Sequence, residues 1–225
     1  VLSTALSGGG AEYVTRVMLE RLPDTMCIVF ENDKNIHVKK KVVRVITSGK
    51  KRGFFFSLLR NIYRLFYIQW VKLRYRPVTT ISHLEGPNIA NLVTAAGGRS
   101  IIFVHNQVAQ NYPKDIFINR VKLALICLLY RRADRVIGVS TEICKEMVED
   151  YGVRETHSQF LPNPIDNEKI QQLSKIGYGD WRDELLNQQY LINVASLTEQ
   201  KNHSLLIEVY SSLIRKRPTY KLVLL

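Results

Sequence analysis

Short apolar runs alternate along the chain with stretches in which apolar positions recur every three or four residues. A strand buried on both faces reads as a continuous apolar run and an amphipathic helix as a 3.6-residue repeat. The alternation therefore predicts βαβ units around a parallel sheet, an α/β fold. A first strand over 1–6 leads into the turn Ser7-Gly8-Gly9-Gly10 and a helix with Ala11, Val14, Met18 and Leu22 on one face. Strands are expected over 26–30, 42–46, 78–82, 100–104 and 133–140, with helices over 54–75, 89–96, 119–130 and 141–151. A short strand from 160 ends at Pro162 and Pro164, neither of which can donate to a ladder. After a connection with little strand signal, a fresh β-α-β runs through 190–195, 203–216 and 220–225. This gives a first domain over 1–165, a connection over 166–189 and the start of a second domain over 190–225. Both ends lie inside strand-like runs, and residue 1 is Val rather than Met. The expectation is a fragment whose second domain has barely begun.

Composition narrows the class. With 46% hydrophobic and 23% charged residues, the 225-residue chain can bury a substantial core and is not a disordered tail. Cys27, Cys127 and Cys144 form no CxxC pair and leave one over in any disulfide scheme. That points to a reducing compartment, and no signal peptide is visible, so a cytoplasmic protein is expected. The net charge of +12 is concentrated: from Lys34 to Arg76 there are thirteen Lys or Arg and no Asp or Glu, while elsewhere bases and acids nearly balance. Such a segment faces something anionic, nucleic acid or lipid headgroups. On a helical wheel, 54–75 gathers Phe54, Phe55, Leu58, Leu59, Ile62, Leu65, Phe66, Trp70 and Leu73 on one face. Ser57, Arg60, Asn61, Arg64 and Arg74 gather on the other. Two readings stay open: a helix packed on its sheet with a solvated basic face, or an interfacial helix on anionic lipid presenting Arg60, Arg64, Phe66 and Trp70. The arginines interrupt the apolar run, which argues against a membrane span.

The candidate chemistry is sparse. A glycine turn between strand and helix exposes N–H groups and lets an anion approach a helix N-terminus, yet it is also common architecture. It is neither GxGxxG nor a Walker loop. Glu12 in the first turn would repel a phosphate and is expected to point away from one. The five histidines and three cysteines show no metal-ligand spacing. His105 follows the run Ile101-Ile102-Phe103-Val104, at the carboxyl end of a strand, where open α/β sheets place ligand contacts. A histidine satisfied by a neighbouring loop is the competing reading. Asn202-His203-Ser204 matches a glycosylation sequon, to which no role is assigned.

Five motifs in order change the balance: Gly8-Gly9-Gly10-Ala11-Glu12, His105-Asn106, the run 133–140 from Ala133 to Ser140, Leu161-Pro162-Asn163-Pro164-Ile165-Asp166, and the run 194–203 containing Ser196 and Lys201. Together they resemble family 4 glycosyltransferases over the whole chain. The resemblance implies the GT-B architecture, two Rossmann-like domains facing a cleft, and a retaining, metal-independent transferase using a UDP- or GDP-sugar. It implies that His105 sits beside the transferred sugar as the catalytic residue. Gly9, Gly10, Ser196 and Lys201 would bind the donor, and Gly8, Glu12, Asn106, Ser140 and Asn163 would line the cleft. Lys201 would neutralise the donor diphosphate, where leaving-group charge builds up as the C–O bond breaks. The chain departs from the family at Ala195-Ser196-Leu197, where Gly-Arg-Leu is usual, so Ser196 offers a neutral hydrogen bond in place of an arginine. The family's pair of glutamates seven residues apart would lie beyond Leu225, so the 225 residues alone are expected to be inactive.

The implied partners are a nucleotide sugar, a lipid-linked glycan acceptor and an anionic membrane at the inner face of the plasma membrane, in cell-envelope polysaccharide synthesis. A dinucleotide oxidoreductase is disfavoured by the missing GxGxxG. A membrane-binding module without catalysis is the other alternative. Nucleic acid is disfavoured because no recognition-helix, RRM or zinc-finger pattern appears.

Overall fold

A computed structural model describes residues 1–7, 9–31, 42–45, 53–94, 98–112, 116–176 and 188–225. They form two compact units, Val1–Pro164 and Ile165–Leu225. The first is an α/β unit built on a seven-stranded sheet in the order β3-β2-β1-β4-β5-β6-β7, with every pairing parallel. The strands are β1 (Leu2–Ser3), β2 (Met26–Val29), β3 (Val42–Val45), β4 (Thr79–His83), β5 (Arg99–Val104), β6 (Arg135–Gly138) and β7 (Ser158–Phe160). The helices of this unit are α1 (Gly10–Arg21), α2 (Gly53–Tyr75), α3 (Glu85–Val93), α4 (Val108–Asn111), α5 (Phe117–Tyr130) and α6 (Thr141–Glu149). The chain winds outward from β1 to β3, then crosses back to β4 on the other side of β1. That reversal makes the carboxyl ends of β1 and β4 the topological switch point, the place where open α/β sheets bind ligands.

The pleat sorts the core. Leu2 and Ile28 face Ile68, Val71 and Ala90 on one side, while Cys27 and Val29 face Leu6 and Leu19 on the other. A larger cluster under α5 and α6 joins Ile102, Val104, Leu123, Ile126, Tyr130, Val136 and Met147. Full burial of a side chain such as Leu19 or Ile102 contributes about 1.5–3 kcal/mol. Gly138 permits this packing, because a Cβ there would lie 2.6 Å from Cys144 Sγ.

Two elements depart from the pattern for local reasons. Helix α3 begins at Glu85 rather than 89, because proline is tolerated in a first helical turn and Gly86-Pro87 therefore does not break it. Its entry residue, Leu84, takes φ 70°, a left-handed conformation that favours glycine. Helix α2 is turned about its axis from the wheel expectation. Arg64, Ile68, Val71 and Lys72 are buried, whereas Phe56, Phe66, Trp70 and Leu73 are exposed. The charged ends are satisfied inside: Arg64 donates to the Phe30 carbonyl at 2.9 Å, and Lys72 Nζ donates to Asn91 O, Asn91 Oδ1 and Thr94 O at 2.7–2.9 Å. Buried charges with full hydrogen bonding and aliphatic stems can replace an apolar contact face.

The second unit holds α7 (Asn167–Ser174), then β8 (Tyr190–Asn193), α8 (His203–Ile214) and β9 (Lys221–Leu224), with β8 and β9 parallel. Side chains start both helices: Asp166 Oδ1 accepts from Lys169 N at 2.9 Å, and Asn202 Oδ1 accepts from Leu205 N at 3.3 Å.

Candidate functional site

At the carboxyl end of β1, Gly9 caps α1 with φ −85°, a backbone any residue can adopt. Dihedral strain does not require its glycine. A Cβ at Gly9 would come within 3.3 Å of Glu12 Oε2, and one at Gly10 within 3.8 Å of Asn163 Nδ2. The segment after β7 therefore returns across the carboxyl edge, and Gly9, Gly10, Glu12 and Asn163 meet there. Glu12 Oε2 is the atom nearest the space beside Gly9. A carboxylate in the first turn is stabilised by the positive end of α1. Gly8 lies outside the described residues.

On the neighbouring strand, sequence reasoning missed a residue. His83 ends β4 in register with Phe103, and His105 stands two residues beyond Phe103 on the same side of the sheet. His83 Nδ1 lies 3.0 Å from His105 Nε2. The three rings are layered, His83 on Phe103 with centroids 4.7 Å apart and 27° between planes. His83 is fully buried and His105 partly so, and the outer nitrogens, His83 Nε2 and His105 Nδ1, are covered with no hydrogen-bond partner among the described residues. Burial, then the neighbouring His105, pushes the His83 imidazole down to about 3, and burial holds His105 down to about 4. Both rings are neutral at pH 7, so one donates and the other accepts. The signal for His83 was its position, a polar residue closing an apolar strand at the switch point, but a strand boundary set one residue early hid it.

The remaining candidates divide by location. Asn106 follows His105 and is partly buried. Ser140 caps α6, its Oγ accepting from Ile143 N at 3.3 Å. Ser196 and Lys201 belong to the second unit, both exposed, with Lys201 closing a single 3-10 turn over Glu199–Lys201. Phe66 and Trp70 are exposed and Arg60 is partly buried, its Nε without a partner. Arg64 is corrected: it packs inward over the Phe30 ring at 4.7 Å and does not join the exposed face. Among the described residues no group of three or more His, Cys, Asp or Glu could hold a metal ion. A cavity of about 560 Å³ lies at the opposite, amino end of the sheet, between α2 and β1, β2 and β4, and is lined by Leu22, Ile68, Val71 and Tyr75.

The sheet order, the glycine turn and the histidine at one carboxyl edge can now be set against known proteins. The Glycosyltransferase Family 4 model matches residues 8–169. The chain belongs to glycosyltransferase family 4. Over 234 aligned residues, 98% of the chain, this family 4 member is 25% identical to a Campylobacter jejuni protein, N-acetylgalactosamine-N,N'-diacetylbacillosaminyl-diphospho-undecaprenol 4-alpha-N-acetylgalactosaminyltransferase. The chain spans 60% of that relative's length. Its fold is that of sucrose-phosphate synthase from Thermosynechococcus elongatus, with TM-score 0.72 and 13% identity over 99% of this chain and 61% of the other. It is also that of Anabaena HepE, solved in complex with UDP and glucose, with TM-score 0.64 and 14% identity over 99% and 60%. These likenesses establish the GT-B class of fold for the family 4 chain.

Proposed function

We propose that the full-length protein transfers a sugar, with retention of configuration and without a metal ion, from a UDP-sugar to a glycan carried on a lipid diphosphate. The reading rests most on the family 4 match, which runs through the glycine turn and His105. The Campylobacter relative's name supports a lipid-diphosphate acceptor, and the UDP in the Anabaena structure supports a uridine donor over a GDP-sugar. In this reading the turn at Gly9 and Gly10 leaves room for the ligand to approach the backbone. His105 contacts the transferred sugar, and Lys201 supplies the compact positive charge that the departing diphosphate needs. The test is to incubate full-length protein with a panel of UDP-sugars and a polyprenyl-diphosphate-linked sugar, following acceptor mass. A gain of one sugar is expected, and no gain with any donor overturns the reading.

The same protein works at a membrane surface, on the inner face of the plasma membrane, in cell-envelope glycan synthesis. The supporting observation is the outward aromatic face of α2, Phe56, Phe66 and Trp70, with a second exposed row on α5 at Phe117, Val121 and Leu128. Helix α2 packs on α3 and α3 on α5, so both rows belong to one helix layer. Exposed apolar residues gathered on one helix layer mark an interaction site, and the basic segment from Lys34 to Arg76, of which 34–41 and 46–52 lie outside the described residues, favours anionic lipid at about 1 kcal/mol per residue near the surface. No described helix is long and apolar enough to cross a membrane. Sedimentation with anionic but not neutral vesicles, reversed by salt, is the expected result, and equal binding to both contradicts it.

A further inference from the structure

The His83–His105 pair can hold its shared proton in two ways. Either His83 Nδ1–H donates to His105 Nε2, leaving His83 Nε2 a bare lone pair and His105 protonated on Nδ1, or the reverse holds and His83 carries N–H on its outer nitrogen. The contact at 3.0 Å is the same in both. The surroundings distinguish them. His83 Nε2 sits on a side chain with 0% exposure and has no acceptor in reach among the described residues. A buried N–H without an acceptor is rarer in folded proteins than an acceptor with an unused lone pair. His105 Nδ1 is covered as well, but His105 is only partly buried and stands at the carboxyl end of its strand, the edge where open α/β sheets take their ligands, so its N–H is the one a ligand oxygen there can meet.

We infer that His83 is the positioning residue for His105, donating from Nδ1 to His105 Nε2 and thereby fixing the His105 proton on Nδ1, where it is a hydrogen-bond donor to a substrate oxygen. The inference rests on the proposed function only for the identity of that substrate. Phe103, stacked on His83, holds the ring planes. With Nε2 already accepting, His105 is left with no free lone pair, so it acts as a donor and not as a general base.

The test reads the imidazole tautomers by ¹⁵N NMR in the full-length protein, together with KM and kcat for the donor. His83→Asn places an amide N–H near the position of Nδ1, whereas His83→Phe keeps the ring on Phe103 and removes the donor. Expected are Nδ1–H tautomers for both rings, His105 still Nδ1–H in H83N with kcat/KM changed less than about threefold, and a switch to Nε2–H in H83F with kcat/KM down about tenfold. An Nε2–H tautomer at His105 in the unsubstituted protein, or an H83F protein that keeps Nδ1–H, overturns the inference. Should H83F not fold, the unsubstituted and H83N spectra decide it. The expected tautomers in a protein that transfers no sugar would overturn the transferase reading and leave the pairing standing.

Discussion

The Arg64 guanidinium lies 4.7 Å from the centre of the Phe30 ring and donates to the carbonyl of that same residue at 2.9 Å. One cation thus fastens the first half of α2 to the end of β2, and Lys72 fastens its second half to the end of α3. The two anchors lie eight residues apart, close to two full turns, and hold the aromatic face outward. The orientation of α2 comes from satisfied charges together with the short apolar row of Ile68 and Val71.

Arg64→Leu is expected to lower stability by about 1–3 kcal/mol, because the Phe30 carbonyl loses its buried donor and the cation–π contact goes with it. Phe66→Ala, on the exposed face, should stay within about 0.5 kcal/mol of the parent. Urea midpoints compare the two, and equal effects would contradict the anchoring role.

On the outward face, Phe66→Ser combined with Trp70→Ser should weaken binding to anionic vesicles by about tenfold or more, since each change removes apolar area worth about 1.5–3 kcal/mol when fully buried. Fold and melting temperature should hardly move. Vesicle co-sedimentation reads the loss, and unchanged binding would assign membrane contact elsewhere.

The histidine pair also sets a pH dependence. In the unfolded chain each imidazole protonates near its ordinary value of 6.5, but the folded pair resists until about 4 for His105 and about 3 for His83. Above pH 6.5 neither state binds these protons and the pair contributes no pH dependence. As pH falls below 6.5 the unfolded chain takes up protons that the native state refuses. Stability should therefore drop, by up to about 1.4 kcal/mol per pH unit for each histidine, until the folded values are reached. Urea midpoints at pH 7.5 and 5.0 should show a shallower loss in His83→Asn than in the parent, and identical slopes would count against the pair.

How much of this was legible in the sequence follows physical lines. Strands buried on both faces announce themselves as apolar runs, so the α/β class, the strand order along the chain and the carboxyl-end placement of His105 could be read directly. The face of α2 could not, because hydropathy cannot tell that Arg64 and Lys72 find carbonyl oxygens inside. Nor could the His83–His105 contact, which depends on the register of two strands twenty residues apart in sequence.

Gly10 offers a test of space rather than strain. A Cβ there meets Asn163 Nδ2 only at 3.8 Å, an ordinary contact, so Gly10→Ala should fold as well as the parent. If the glycine keeps the backbone open to the donor, the same variant should raise the donor KM about tenfold or more. An unchanged KM would mean that the turn is architecture alone.

Sugar transfer assisted by Lys201 is tested by comparing the full-length protein with its Lys201→Ala variant, using a UDP-sugar and a polyprenyl-diphosphate-linked acceptor. The expected result is transfer of one sugar by the parent and a kcat about 10²–10³ lower in the variant, the loss that follows removal of one charge-stabilising group from a transition state. Equal rates in the two proteins, or no transfer by the parent with any donor, would contradict it.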